Sequence, residues 1–401
     1  MSQPAHPIRQ AVILAGGLGT RLRPLTDDRA KPMVEINGRP FLDYLFELLR
    51  EHGITHALLL LGYHADSVID HYRANPPEGL HLDFQVSPIE DETGRRLKRA
   101  EARLDDTFLL LYCDNYCPVD LAKAWAQREA LGTPLQITVY ANRDGSSRDN
   151  LSVTDNGLVA VYDKSRTAPG LAGVDIGFAL VDRTVVTDLP DDNVSFEAHV
   201  YPRAVDRKAL SAFVTEHRYY SIGSLERLDE TARFLARPPT VLLDRDGVLN
   251  RKMGRAEYVC DWSQWEWLPG ALDAVARLHA SGYRVIVATN QPGIARGHLT
   301  PSALDAIHDR MRADVRAAGG DVAAVYHCPH GWDENCDCRK PAPGLLFQAQ
   351  KDFALDLSRN TFIGDDDRDR QAAEAAGCRF IHVSEDRPLI TAVDELLHHA
   401  A

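Results

Sequence analysis

The sequence predicts two α/β units in one chain, each built on a largely parallel sheet. Three observations carry this expectation. Apolar, β-rich runs alternate with helical patterns along the chain, which is the rhythm of parallel α/β layers. At 401 residues the chain is too long for one core, since single domains hold roughly 100 to 200 residues. The rhythm also starts afresh: a helical pattern in ETARFLARPPT ends at Pro238 and Pro239, and a new buried strand, VLLD, begins at Val241. That break places a boundary near residue 237 and predicts units over 1–236 and 237–401.

The composition, 44% hydrophobic and 26% charged, is that of globular material. The opening MSQPAHPIRQ has no apolar stretch of signal-peptide type, and no run approaches the roughly 18 apolar residues of a membrane span. A cytoplasmic protein with no membrane partner is expected. Disulfides are rare in that compartment, so seven cysteines, three of them clustered, point to metal binding or catalysis. A net charge of −13 argues against nucleic acid as a partner, because such binding needs a basic face. Any anionic substrate must meet local clusters of Arg and Lys.

The first unit opens with the strand AVILAG and passes through Gly16, Gly17, Gly19 and Thr20 to Arg21, Arg23 and Lys31. Glycines let backbone N–H groups approach phosphate oxygens, and the basic residues balance a triphosphate. A helical pattern, FLDYLFELLREHG, and a second apolar run, ALLLLGY, follow; further on, LLLYCDNY brings Asp114 to a strand end. The full GGxGTRLxPLT…KPM string resembles the sugar-1-phosphate nucleotidyltransferases, including mannose-1-phosphate guanylyltransferases and heptose-1-phosphate relatives, over about residues 8–235. The resemblance implies a Rossmann-like nucleotidyltransferase fold and attack by a sugar 1-phosphate on the α-phosphorus of a nucleoside triphosphate. It puts Arg21 and Lys31 on the phosphates, Asp114 on Mg²⁺, Lys164 on the sugar phosphate and Asp175 on sugar hydroxyls. Glu197 in SFEAHVYP fits a family position and equally a helix surface. Two departures stand out. Ser221 replaces a second metal aspartate, and Arg95 and Arg96 replace small residues in ETGRRLKRA. They open a rival reading, a module that senses nucleotide sugar without making it.

The second unit begins with VLLDRDGVLN, which sets Asp244 at a strand end with Asp246 two residues on. Two carboxylates so close repel unless a cation joins them, which fits a Mg²⁺ site and a nucleophilic carboxylate. VIVATNQPG ends a second strand at Thr289 and Asn290, CRKP supplies Lys340, and FIGDDDRD ends a third strand at Asp365. Asp366, Asp367 and Asp369 read as supporting or solvated charges. Between these motifs, CPHGWDENCDC holds Cys328, His330, Cys336 and Cys338, donors that tetrahedral structural Zn²⁺ prefers, although a redox pair or packed thiols would use the same residues. A closed zinc site would pin the loop leading into Arg339 and Lys340.

These strand ends, in this order, resemble the four motifs of the haloacid dehalogenase superfamily. The resemblance implies a Rossmann-like fold with a zinc loop, Asp244 as nucleophile, Asp246 as general acid and base, and Thr289 and Lys340 on the phosphoryl oxygens. Asp244, Asp365 and the backbone carbonyl of Asp246 would hold Mg²⁺. DRDGVLN, TNQPGIARG and CPH…CDCRKPAPG together look like the D-glycero-D-manno-heptose 1,7-bisphosphate phosphatases, with histidinol-phosphate phosphatases as the near alternative. Asn290, Gln291, Arg296 and Arg339 are then candidate substrate contacts. Asp366 stands where the heptose family can carry a lysine, which leaves the grip on substrate open. Joined, the two resemblances imply an enzyme of NDP-heptose formation acting on heptose bisphosphate, heptose 1-phosphate and a nucleoside triphosphate, with GTP preferred. Such a product would serve lipopolysaccharide, capsule or S-layer synthesis.

Overall fold

The structure, a computed structural model, describes residues 6–254 and 256–400, with side chains through His398. Internal contacts divide the chain after Leu235.

The first unit is built on seven strands: β1 (Gln10–Ala15), β2 (His56–Leu61), β3 (His81–Val86), β4 (Thr107–Tyr112), β5 (Leu135–Tyr140), β6 (Val174–Asp182) and β7 (Leu210–Thr215). Their order across the sheet is β7-β5-β6-β4-β1-β2-β3. β6 runs antiparallel to both neighbours, and the other pairings are parallel. β1 is buried at all six positions, as expected of a parallel strand covered on both faces. Helix α1 (Phe41–Glu51) buries Phe41, Leu42, Leu45, Phe46, Leu48 and Leu49, the i, i+3, i+4 spacing that gives a helix one apolar stripe. From β1 the chain goes first to β2 and β3 on one side and then to β4 on the other. This reversal opens a crevice at the carboxyl ends of β1 and β4, where open α/β sheets hold ligands.

In the second unit, β8 (Thr240–Leu243), β9 (Arg284–Asn290), β10 (Ala324–Cys328), β11 (Thr361–Gly364) and β12 (Arg379–His382) form an all-parallel sheet ordered β10-β9-β8-β11-β12. Alternate residues feed two separate cores: Val241, Leu243, Val287 and Ile363 one, Leu242, Ile286, Ala288 and Phe362 the other. The period-two alternation of a strand thus buries both faces. β8 lies at the reversal point of this sheet, so Asp244 emerges in its crevice. No helix among the described residues is long and apolar enough to cross a membrane.

Candidate active sites

Asp244 follows β8 and is anchored by its backbone N–H, which donates to the Ile363 carbonyl at 2.9 Å. Lys340 is the hub of the site. Its side chain is 2% exposed, and its ammonium lies 2.8 Å from Asp244 Oδ1, 2.7 Å from Asp369 Oδ1 and 2.9 Å from the Ala288 carbonyl. Burial opposes that positive charge, but the two carboxylates outweigh it and push the Lys340 pKa up. Burial likewise pushes Asp244 up to about 6, against the pull of Lys340.

Asp246 has different neighbours. Arg245, 1% exposed, donates to both of its carboxylate oxygens at 2.9 Å, and Asn250 and Gln291 add bonds of 2.9 and 2.8 Å. Burial alone would raise the Asp246 pKa. The guanidinium and these hydrogen bonds outweigh it and hold the carboxyl below its usual range. Two expected substrate contacts are spent on the protein instead: Gln291 also donates to Thr289 Oγ1 at 3.0 Å, and Asn290 uses both ends of its amide on the backbone of Lys340, at 3.0 Å each. They brace the reactive groups. Arg296 stacks 3.9 Å over the Trp332 ring, which lines the cavity.

Ligand atoms of Asp244, Asp365 and Asp369 lie within 4.8 Å of one another, and Asp365 Oδ1 is buried without a hydrogen-bond partner. An orphaned carboxylate oxygen among three anionic groups fits a hard divalent cation with oxygen ligands. Of the two roles the sequence leaves open for Asp369, the structure shows the supporting one: it is 1% exposed, bound to Lys340, and closes a capping box with Asp366 at the start of α2 (Asp367–Ala375). That capping turn, invisible in a run of aspartates, brings it inward. Gly247 makes the crowding possible: at φ +91° a side chain is strained, and its Cβ would fall 2.3 Å from Asp365 Oδ2. Over these groups lies a cavity of about 880 Å³, lined among others by Asp244, Lys252, Trp332, Arg339 and Arg368.

The four soft donors converge beside it. Cys328 Sγ is 3.6 Å from both Cys336 Sγ and His330 Nδ1; Cys338 Sγ is 3.5 Å from Cys336 Sγ and 3.2 Å from His330 Nδ1. A disulfide requires a sulfur separation of about 2 Å, whereas a zinc tetrahedron with bonds of about 2.0 to 2.3 Å has edges of roughly 3.4 to 3.8 Å. The cluster fits the metal. Arg339 is tied to it, donating to the His330 carbonyl at 3.3 Å.

In the first unit, Lys31 and Asp114 form an ion pair. Arg21, Ser221 and Asp114 converge on Gly223, whose Cβ would lie 3.8, 3.0 and 3.9 Å from their side-chain atoms. The Ser221 hydroxyl accepts the Gly223 N–H at 2.9 Å. Gly17 and Thr20 are exposed, and Gly19 is left-handed at φ +63°. Gly16 has an unforeseen neighbour. Arg96 is buried, donating to the carbonyls of Leu61, Pro88, Ile89, Asp91 and Gly16, and a Cβ on Gly16 would meet its guanidinium at 2.4 Å. Arg95 is bound to the Asp191 carbonyl instead. Lys164 pairs with Glu197 at 2.9 Å, and Asp175 accepts from Tyr162 Oη at 3.2 Å and the Gly177 N–H at 2.9 Å. Burial, then the charge of Glu197, pushes Asp175 up to about 7. Cys113 and Cys117 are buried thiols.

Comparison with known proteins separates the halves. A Nucleotidyl transferase family model matches residues 10–158, and a HAD-hydrolase-like model matches residues 337–398. A D-glycero-beta-D-manno-heptose-1,7-bisphosphate 7-phosphatase of Pseudomonas aeruginosa is 42% identical over 151 residues, 38% of this chain and 84% of its own length. The chain belongs to this heptose-bisphosphate phosphatase family. A 7-phosphatase of Photorhabdus laumondii whose name carries the alpha anomer is 34% identical, with 34% of this chain and 76% of its own length covered. A Bacillus anthracis structure assigned as a glucose-1-phosphate thymidylyltransferase is 16% identical and covers 56% of this chain and 93% of its own, with a TM-score of 0.50; it shares the fold of the first half. The protein is a phosphatase and a nucleotidyltransferase, and the two halves fit one bifunctional enzyme of heptose metabolism.

Proposed function

We propose that the phosphatase unit removes the 7-phosphate of D-glycero-D-manno-heptose 1,7-bisphosphate, and that the nucleotidyltransferase unit joins the resulting heptose 1-phosphate to a nucleoside triphosphate, GTP in preference, with release of pyrophosphate. Asp244 attacks the phosphorus and takes the phosphoryl group, while the sugar oxygen leaves with a proton from Asp246. Asp246 is ionised in the free site and takes that proton from solvent as the substrate phosphate brings negative charge alongside. It then takes a proton from water, which attacks the aspartyl phosphate and frees phosphate and Asp244. Lys340 and Thr289 hold the phosphoryl oxygens. Asp244, Asp365 and the Asp246 carbonyl would hold Mg²⁺, which would cancel charge between an anionic nucleophile and an anionic substrate. The cysteine–histidine cluster would hold Zn²⁺ and so fix the loop that carries Arg339 and Lys340.

In the nucleotidyltransferase unit the loop of Gly16, Gly17, Gly19 and Thr20, with Arg21 and Lys31, positions the triphosphate. Asp114 holds Mg²⁺, Lys164 the sugar phosphate and Asp175 the sugar hydroxyls. Positioning and neutralisation provide most of the catalysis. The observation that carries the joined reading is the pairing itself: a phosphatase that spares the anomeric phosphate leaves the one group a nucleotidyltransferase requires.

The test supplies the intact protein with heptose 1,7-bisphosphate, Mg²⁺ and each of the four triphosphates, and follows phosphate, pyrophosphate and sugar nucleotide together. All three should form, fastest with GTP. Removal of the 1-phosphate first would overturn the order, and phosphate without pyrophosphate from any triphosphate would make the first unit a sensor.

A further inference from the structure

A bisphosphate presents two dianions, and the groups around Asp244 account for one. Lys340 is committed to Asp244 and Asp369, Arg245 to Asp246, and Arg296 to the face of Trp332. Three other cations line the same cavity: Arg339, which donates to the His330 carbonyl at 3.3 Å, and two that are half exposed, Lys252 at 44% and Arg368 at 47%. Of the last two, Lys252 lies outside the sequence motifs, and Arg368 sits within FIGDDDRD without a role assigned to it. Lys252 lies on the loop after β8 and Arg368 in the first turn of α2, yet both reach Asp366: Lys252 Nζ is 3.2 Å from Oδ2, and Arg368 donates through Nε at 2.9 Å to Oδ1 and through Nη2 at 2.8 Å to Oδ2. Lys252 also bonds Asp365 Oδ2 at 2.7 Å.

An ammonium carries three N–H donors and a guanidinium five. The bonds above use two of the three on Lys252 and leave the Nη1 edge of Arg368. Asp366 therefore orients two cations without consuming them. Positive charge reaches this turn from Lys252, more than a hundred positions earlier in the chain. We propose that Lys252 and Arg368, held by Asp366, form the binding site for the phosphate of the bisphosphate that is not hydrolysed. This assignment rests on the bisphosphate reading of the phosphatase unit. It makes these residues determinants of specificity, acting on the distal phosphate while Asp244 acts on the proximal one.

The experiment compares Lys252→Met, Lys252→Arg and Arg368→Met in the full chain, with heptose 1,7-bisphosphate and with p-nitrophenyl phosphate, which has a single phosphate. Loss of one charge-assisted contact is expected to lower kcat/KM for the bisphosphate about tenfold, mainly through KM. The preference for bisphosphate over monophosphate should fall by a similar factor, and Lys252→Arg should keep more of it than Lys252→Met. If the side chains only brace Asp365 and Asp366, both substrates lose equally and the preference is unmoved, which overturns the assignment. An unaltered preference in Lys252→Met and Arg368→Met, beside a wild-type protein that clearly favours the bisphosphate, would sink this inference alone. A wild-type protein with no such preference would sink the substrate reading beneath it.

Discussion

The phosphatase unit buries its chemistry: Asp244, Asp369 and Lys340 are almost without solvent contact, and three carboxylates crowd within 4.8 Å. In the nucleotidyltransferase unit Asp114 pairs with Lys31, with Arg21 on the other side of Gly223, beside a glycine loop that is exposed at Gly17. Among the described residues, clusters of three or more ligating groups occur only in the phosphatase unit. The contrast follows from the reactions. On the proposed mechanism, a carboxylate that bonds to phosphorus has to be stripped of water and held against its own repulsion, which fits the buried lysine and the orphaned oxygen around Asp244. A transfer between two bound phosphates forms no bond to the protein. It needs cations and backbone donors in position, and these work from a loop.

The most severe way to break this comparison is Asp244→Asn, which removes the proposed nucleophile and keeps the shape. Phosphate release should fall by about 10⁴-fold or more, while pyrophosphate release from heptose 1-phosphate and a triphosphate persists. Loss of both activities would show that the sites are not chemically separate. Cys336→Ser comes next. Elemental analysis should find one zinc per wild-type chain and less in the variant, with phosphatase activity lowered by about 10- to 100-fold, because Arg339 is tied to the His330 carbonyl. Full activity in zinc-free protein would contradict a structural metal.

Ser221→Asp sharpens the contrast from the other side by giving the first unit a second carboxylate beside Asp114. Affinity for Mn²⁺, read by electron paramagnetic resonance on an Asp244→Asn background, should rise by about tenfold. An unchanged affinity would mean that Asp114 and Ser221 do not face a common cation. The smallest effect is expected at Asp175. Its folded pKa is raised to about 7, so between the ordinary carboxylate range and pH 7 the folded state keeps a proton that the unfolded state has lost. Stability contributed by this group is therefore present at low pH and declines as pH rises towards and through 7. Asp175→Asn cannot ionise, and its Tm relative to wild type should be several °C more favourable at pH 8.5 than at pH 5. The same difference at both values would mean that Asp175 titrates normally.

What the sequence by itself determined is what lies close along the chain or is repeated by strand periodicity. Cys328, His330, Cys336 and Cys338 fall within eleven positions, so one loop closes the metal cluster and spacing alone reveals it. Asp244, Thr289 and Asp365 were legible because each ends an apolar run, and parallel strands bring such ends to one edge. The same logic exposed the glycine loop after β1 and Asp114 after β4. Tertiary structure alone decided which long side chain reaches which partner. Arg96 packs against Gly16 from eighty residues away, Lys252 arrives at Asp365 and Asp366 from more than a hundred, and Gln291 turns to Asp246. Asp369 joins Lys340 because a helix cap turns it inward. Such pairings depend on distances set by packing and on the cost of leaving a buried charge unpaired, and neither quantity is written in the spacing of residues along the chain.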